Sequence, residues 1–397
     1  MFSIFTQIDA ILTANQRYWR FEPFHSTETS ASVQLRQAPE LHRWLMSLTN
    51  DDIEFYKQNN ASLVPEVGRY IPEVLTLDSL SQLPTTNTQP LPLPRGAEVG
   101  VPGRKLNQIV AMSQASLDEH QGSEWLEWCS GKGYLGRILA LSTTQPVTSF
   151  EWQQSLCDSG QMEANKQALP MTFVQGDALA DDASLIMNNR QHAVALHACG
   201  DLHVNLIRHG CNIGLPALTI APCCYHLIQG DQYQALSDLA RNSELNLTQS
   251  ELRIPLQATV TGGERVKRHR YLEMTYRLGL DNFLRCEKKH ERYTPLPSIK
   301  KSELALGFEH FCRWAAKKRS IDIDGMNFEH WLVSGKERFI EMERMSLIQQ
   351  VFQRPLEMWL VLDRALYLEQ NGYKTMLSEF CNSSDTPRNI LIQANRK

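Results

Sequence analysis

A chain of 397 residues, 42% hydrophobic and 21% charged, has enough apolar side chain for a substantial core and none of the compositional bias that keeps a chain unfolded. No apolar run approaches the ~20 residues that span a bilayer, and Met1-Phe2-Ser3-Ile4-Phe5 lacks the basic stretch and apolar core of a secretion signal. Nine scattered cysteines without a C-x-x-C pair argue against a zinc ribbon or a disulfide framework, and point to a reducing, cytoplasmic setting with no membrane and no disulfide-linked partner.

Residues 1–80 read as a helical N-terminal region. Phe2, Phe5, Ile8, Ile11 and Leu12 have helical apolar spacing, and Pro39 stands at the first turn of a further helix. Tyr18, Trp19, Phe21 and Phe24 are read as core rather than as a substrate wall. Residues 81–103, with Gln89-Pro90-Leu91-Pro92-Leu93-Pro94, read as a Pro-rich linker. A helix over 104–119 then leads into a first strand at Trp125–Trp128. The small-residue turn Cys129-Ser130-Gly131-Lys132-Gly133 follows, and a helical pattern begins at Tyr134. Strand, Gly-rich turn and helix is how a doubly wound α/β sheet holds a nucleotide-like ligand. Glycine lets the backbone approach the ligand, and the helix N-terminus offers unpaired N–H groups. Glu127, just before the turn, can hold a cationic or amino group.

Further strands are expected over Pro146–Glu151, Met171–Ala178, His192–Asp201 (a strand with its terminal loop) and Ala217–His226, alternating with helical stretches. That alternation predicts a parallel sheet with right-handed crossovers. Glu127, Glu151 and Asp177 fall at the carboxyl ends of successive strands, where such sheets bind ligands. The carboxylate of Glu151 suits ribose hydroxyls and that of Asp177 an adenine amino group. One such acid is commonly a helix cap; three in order after a glycine turn point to a nucleoside-like cofactor.

The chain ends with a helix over 356–370, a break at Asn371-Gly372, and strands over 373–380 and 389–394 that close the sheet. The core is therefore expected over 104–230 and 351–397, with an insertion over 231–350 that is largely helical but contains strands at Leu252–Val260 and His269–Arg277. Net charge is −4, yet 264–320 holds fifteen Lys or Arg against seven Asp or Glu. A local basic excess suits a polyanion, although a solvated helix face is the plainer reading.

Glu127-x-Cys129-x-Gly131-x-Gly133 resembles the first motif of class I methyltransferases, with Cys129 where that family more often has Gly. Cys129–Gly136, Leu196-His197-Ala198-Cys199-Gly200-Asp201 and Cys223-Cys224-Tyr225-His226 resemble the signature blocks of one group of S-adenosylmethionine (SAM)-dependent methyltransferase domains. The group includes the methyltransferase-like proteins labelled ribosomal RNA adenine dimethylase domain-containing, and the methyltransferase region of glutathione S-transferase C-terminal-domain-containing protein. More distantly it includes the eukaryotic tRNA acceptor-stem 2′-O-methyltransferases. Leu362–Glu369 and Thr386-Pro387-Arg388-Asn389 resemble the first of these most. The resemblance covers about 100–230 and 350–397. It implies a seven-stranded doubly wound Rossmann-like methyltransferase sheet, with SAM held by Glu127, Cys129, Gly131, Lys132, Gly133, Glu151, Asp177 and His197.

For the chemistry, several readings stand. The loop after the fourth strand is His197-Ala198-Cys199-Gly200-Asp201, not the Asn/Asp-Pro-Pro-aromatic loop of amino-methylating enzymes, which disfavours adenine N-methylation by that arrangement. Cys223 is a candidate nucleophile for cytosine C5 transfer, or it shapes the loop beside the cofactor. His197, Cys199, Cys223, Cys224 and His226 are placed to converge at the carboxyl edge of the sheet and suit zinc by type, but no local pair has finger spacing and no metal is expected. Asp201, Tyr225 and His226 are expected against the acceptor, His226 as a base for a hydroxyl. Arg265, Lys267, Arg268, Lys288 and Lys289, interleaved with aromatics, are expected to bind RNA, tRNA or rRNA. The alternatives are a protein methyltransferase or a non-catalytic SAM- or RNA-binding module.

Overall fold

The computed structural model describes residues 1–26, 35, 38–86, 93, 98, 101, 103–257 and 263–397, the side chains of Arg104 and His197 excepted. Most of the expected 81–103 linker lies outside the described residues. The chain forms two compact units, one of residues 1–14, 79–260 and 353–397 and one of 15–78 and 261–352. Each is drawn from separated stretches of sequence, so these divisions differ from boundaries read along the chain.

The first unit is built on a sheet of β1 (Glu124–Trp128), β2 (Val147–Glu151), β3 (Met171–Gln175), β4 (Gln191–Cys199), β5 (Ala217–Cys223), β6 (Tyr373–Glu379) and β7 (Ile390–Arg396), in the order β3-β2-β1-β4-β5-β7-β6. β1 pairs in parallel with β2 and β4, β2 with β3, and β4 with β5. β7 runs antiparallel to both β5 and β6. The strand order reverses between β1 and β4, and the carboxyl ends on either side of that reversal are where an open α/β sheet leaves a crevice. Trp125, Leu135, Ile138, Val147, Val194 and Leu391 lie in the apolar core that fixes the sheet against its helices.

The helix Phe2–Ala14 packs in this unit rather than with the helices that follow it. Phe5, Ile8 and Leu12 are buried. Phe5 packs at 5.5 Å on Trp359 of the helix Gln353–Gln370, whose indole N–H donates to Asp9 at 2.8 Å. A second polar seam positions the loops beyond β4 and β5. Arg364 donates through Nε to His203 Nε2 at 2.7 Å, and His203 Nδ1 lies 2.7 Å from the Ala198 carbonyl. His203 is therefore the neutral Nδ1–H form. Burial, reinforced by the Arg364 charge, holds its pKa well below the usual range. Asp363 accepts from the N–H groups of Leu236 and Ser237 and from the Tyr233 hydroxyl.

The second unit is helical. Its core gathers Tyr276, Leu280, Phe283, Leu304, Phe308, Phe311 and Trp331. The helices Glu264–Cys286 and Phe328–Gln350 meet at two glycines: a Cβ on Gly335 would stand 2.4 Å from the Thr275 carbonyl, and one on Gly279 2.5 Å from the Trp331 carbonyl. Only glycine permits that closeness.

Both strands expected in the insertion are corrected. The described part of Leu252–Val260 is a 3₁₀ helix, Glu251–Gln257, because Pro255 has no N–H for a ladder; residues 258–260 lie outside the described residues. His269–Arg277 lies inside the helix Glu264–Cys286. The buried residues Tyr276, Leu280, Phe283 and Leu284 carry helical spacing across a longer window than the one that reads as alternation.

Candidate functional site

A cavity of about 360 Å³ opens at the carboxyl ends of β1, β2 and β3, lined by Cys129, Phe150, Glu151, Trp152, Gly176, Asp177, Ala178 and Leu202. Its volume is in the ~300–1,000 Å³ range of small-molecule sites. The turn after β1 forms one wall. Cys129 has φ 56° and Gly131 φ 60°, and Ser130 N–H donates to the Phe150 carbonyl at 3.0 Å. A Cβ on Gly131 would meet nothing within 4 Å, so the turn leaves open space there for a ligand to approach its main chain. Gly133 is glycine for another reason, since a Cβ would fall 2.4 Å from the Phe173 ring.

Glu151 ends β2 with its carboxylate fixed by main chain. Oε2 accepts from Gly131 N–H and Oε1 from Gln153 N–H, each at 2.9 Å. The turn and the acid thus hold each other, and the carboxylate lies at the cavity wall with lone pairs to spare. Asp177 lines the same cavity, and its Oδ1 accepts from Leu179 N–H at 2.9 Å. Burial, with the nearby Glu151 charge adding to it, pushes the Cys129 thiol up to about 12, so it is a neutral wall and not a nucleophile.

Glu127 stands apart from that cavity. Its carboxylate is buried and absent from the cavity lining; it accepts from the Ser149 hydroxyl at 2.8 Å and from the N–H groups of Leu135 and Gly136 at the start of the helix Tyr134–Thr143. Burial pushes it up to about 7. It is a positioning residue that ties β1, β2 and the helix start together. Lys132 is exposed and Gly133 is buried against Phe173, and neither lines the cavity. The side chain of His197 lies outside the described residues.

Among the expected acceptor residues, Asp201 opens the helix Asp201–Ile213, and its Oδ2 accepts from Gln229 N–H at 2.8 Å, joining the loops after β4 and β5. Tyr225 is fully buried, with its hydroxyl donating to Glu357 at 3.2 Å. Burial and that carboxylate raise its pKa well above the usual value, so it supports the loop and has no exposed surface for an acceptor. Cys223 is 4% exposed and hydrogen-bonded to its neighbouring cysteines, a setting that favours the thiol over the thiolate. The low-lying thiol is Cys224, drawn down to about 5 by its hydrogen bond from Cys223. His226 is half-buried, and burial and Arg253 lower its pKa, so it is neutral at pH 7.

Trp152 was not anticipated. It is 62% exposed and lines the cavity directly after Glu151. A large aromatic left in solvent beside an acid at a strand end was the available signal.

The cations expected for RNA divide. Lys288 is held 2.6 Å from Asp322, and Lys267 lies 3.4 Å from Glu264. Arg270, Arg277 and Arg285 pair with Glu343, Glu273 and Asp281. Arg265, Arg268 and Lys289 are exposed and have no ion pair among the described residues.

Residues 104–231, about a third of the chain, match a family model described as a methyltransferase domain. They contain the glycine turn, Glu151, Asp177 and the loop after β5. This stretch of the chain is similar to methyltransferase domains. No curated protein matches the chain. Among solved structures it is similar to the tRNA (uracil-54, C5)-methyltransferase of Pyrococcus abyssi in complex with S-adenosylhomocysteine, at 16% identity, TM-score 0.25, over 28% of this chain and 28% of that one. It is also similar to an S-adenosylhomocysteine-bound methyltransferase of Podospora anserina, at 9% identity, TM-score 0.34, over 82% of this chain and 96% of that one. The chain thus spans under a third of the length of the Pyrococcus enzyme.

Proposed function

We propose that the chain transfers the methyl group of SAM to RNA. The observation that carries the reading is the cavity at the ends of β1–β3, where Glu151 and Asp177 stand beside the open turn at Gly131. In this reading Glu151 takes the ribose hydroxyls, Asp177 the adenine amino group, and Trp152 covers the base. When bound, SAM supplies an electrophilic methyl on a sulfonium, so much of the protein's task is to hold the acceptor in line with it. Asp201 and His226, in the loops after β4 and β5, are the candidates to meet the acceptor. A neutral His226 is able to accept a proton from a hydroxyl, which favours 2′-O transfer. A Cys223 nucleophile for cytosine C5 is not part of the reading.

RNA as acceptor is supported by Arg265, Arg268 and Lys289, exposed cations on and after the helix Glu264–Cys286. It is also in keeping with the family resemblance of the signature blocks. The test is transfer of radiolabelled methyl from SAM into total RNA and total protein, followed by nuclease or protease digestion. Nuclease-sensitive label that disappears in Glu151→Ala is the expected result. Label that only protease removes would replace RNA with a protein acceptor.

A further inference from the structure

Three thiols meet at the carboxyl ends of β4 and β5. Cys199 ends β4, Cys223 ends β5, and Cys224 follows it. Their sulfurs all lie within 4.8 Å of one another, and those of Cys199 and Cys223 are 3.4 Å apart. None of the three lines the cofactor cavity.

The backbone builds this arrangement. β4 and β5 pair regularly as far as Leu196↔Ala221, and the next pair is Cys199↔Cys223, so β4 carries one residue more than β5 across the interval. A bulge of this kind re-aims a side chain at a strand end, and here it brings Cys199 beside Cys223. Gly200 N–H then donates to the Cys223 carbonyl at 3.0 Å, and Cys224 takes the left-handed conformation at φ 47°.

Hydrogen bonds between the thiols are present but weak, since a thiol is a weak donor and a weak acceptor. A disulfide would require two sulfurs to close to ~2.05 Å and would leave the third unused. A single soft cation uses all three. Sulfurs bound at ~2.3 Å to one tetrahedral zinc stand about 3.8 Å apart, close to the 3.4 Å between Cys199 and Cys223 and inside the 4.8 Å that limits all three separations.

We propose that Cys199, Cys223 and Cys224 form a binding site for one thiophilic d¹⁰ cation, zinc being the one tested. Thiolate ligands select such ions over the hard, oxygen-seeking ones. Three protein ligands leave one tetrahedral position for a further donor, the pattern of zinc sites that bind another ligand. The linear spacing of these cysteines hides the site, because its ligands come from two strands and are joined only by the sheet. The site does not depend on which acceptor is methylated.

The test uses the full chain, kept reduced with a phosphine, stripped of metal and titrated with zinc against a chromophoric zinc chelator. One equivalent is expected, with at least tenfold weaker binding in Cys199→Ser and in Cys224→Ser. Cys286→Ser, an exposed thiol elsewhere in the chain, should bind as wild type. Cobalt added to the wild-type protein gives a readout that needs no variant: thiolate-to-cobalt charge transfer and tetrahedral d–d bands. Failure of the reduced wild type to take up zinc would overturn the proposal. So would equal uptake by folded Cys199→Ser and Cys224→Ser, or octahedral cobalt spectra.

Discussion

The sheet unit and the helical unit use their charges in opposite ways. In the first, Glu151 and Asp177 are held by main-chain N–H groups and lie in a cavity wall. In the second, Arg270, Arg277, Arg285 and Lys288 are held by carboxylates of the same unit. A carboxylate fixed by N–H donors keeps its charge for a ligand, whereas a cation fixed by a carboxylate is already largely neutralised. The local excess of eight positive charges over 264–320 already counts the acids of that stretch, so it is lowered further by pairs with acids outside it, Glu343 and Asp322 among them. What remains for a polyanion is the exposed cations without an ion pair among the described residues, Arg265, Arg268, Lys289, Arg292, Lys317 and Lys318 among them.

The sharpest way to break the helical unit alone is at its glycine crossing. Gly335→Val pushes a side chain against the Thr275 carbonyl, and backbone cannot yield as a side-chain tip does. A loss of about 3 kcal/mol or more is expected, at the upper end of overpacking costs. Chemical denaturation followed by helical circular dichroism measures it.

In the sheet unit, the buried Glu127 gives a pH test. Its folded pKa, about 7, lies above the unfolded value of 4.5, so the folded state holds the proton more tightly. The stability this group contributes is complete below pH 4.5 and is lost as pH rises through 7. The shift corresponds to about 3 kcal/mol. Glu127→Gln should raise the unfolding midpoint at pH 8 and change it little at pH 4. A wild type that is not less stable at pH 8 than the variant would show that Ser149 and the helix N–H groups offset the cost of the buried charge.

Charge reversal tests the difference between the two units. Arg268→Glu with Lys289→Glu should weaken RNA binding and make its salt slope shallower, by about one for each phosphate no longer neutralised. Lys288→Glu should do much less, because that cation already belongs to Asp322. Equal effects would mean that paired and unpaired cations contribute alike. Smallest of all, Arg313→Ala breaks an exposed pair with Glu309 on one helix and should leave the melting temperature unchanged within error.

Much of the sheet unit was legible because its signals are local. Strand, glycine turn and helix follow one another along a short stretch of chain, and each acid sits at or just past the end of its own strand. Glu127 shows the limit of that reading. Its position in the motif marks the turn, but strand geometry aims its carboxylate at Ser149 and the helix start. The helical unit was far less legible. Its two stretches, 15–78 and 261–352, lie far apart in the sequence, and no periodicity reveals that Arg344 donates to the Leu48 carbonyl at 2.6 Å or Gln349 to that of Trp19 at 2.8 Å. The three thiols were legible as members of a five-residue set suited to zinc, but not as the ones that meet, since Cys199 and Cys223 come together only through strand pairing.

The central claim is that the cavity at the ends of β1–β3 holds SAM through Glu151. Calorimetric titration of the full chain with SAM and S-adenosylhomocysteine, wild type beside Glu151→Ala, tests this most directly. One saturable site in the wild type is predicted, weakened about tenfold to a hundredfold in the variant, as expected for hydrogen bonds to a charged group of ~1.5–3 kcal/mol. Equal binding by both proteins would contradict the placement of the nucleoside at Glu151.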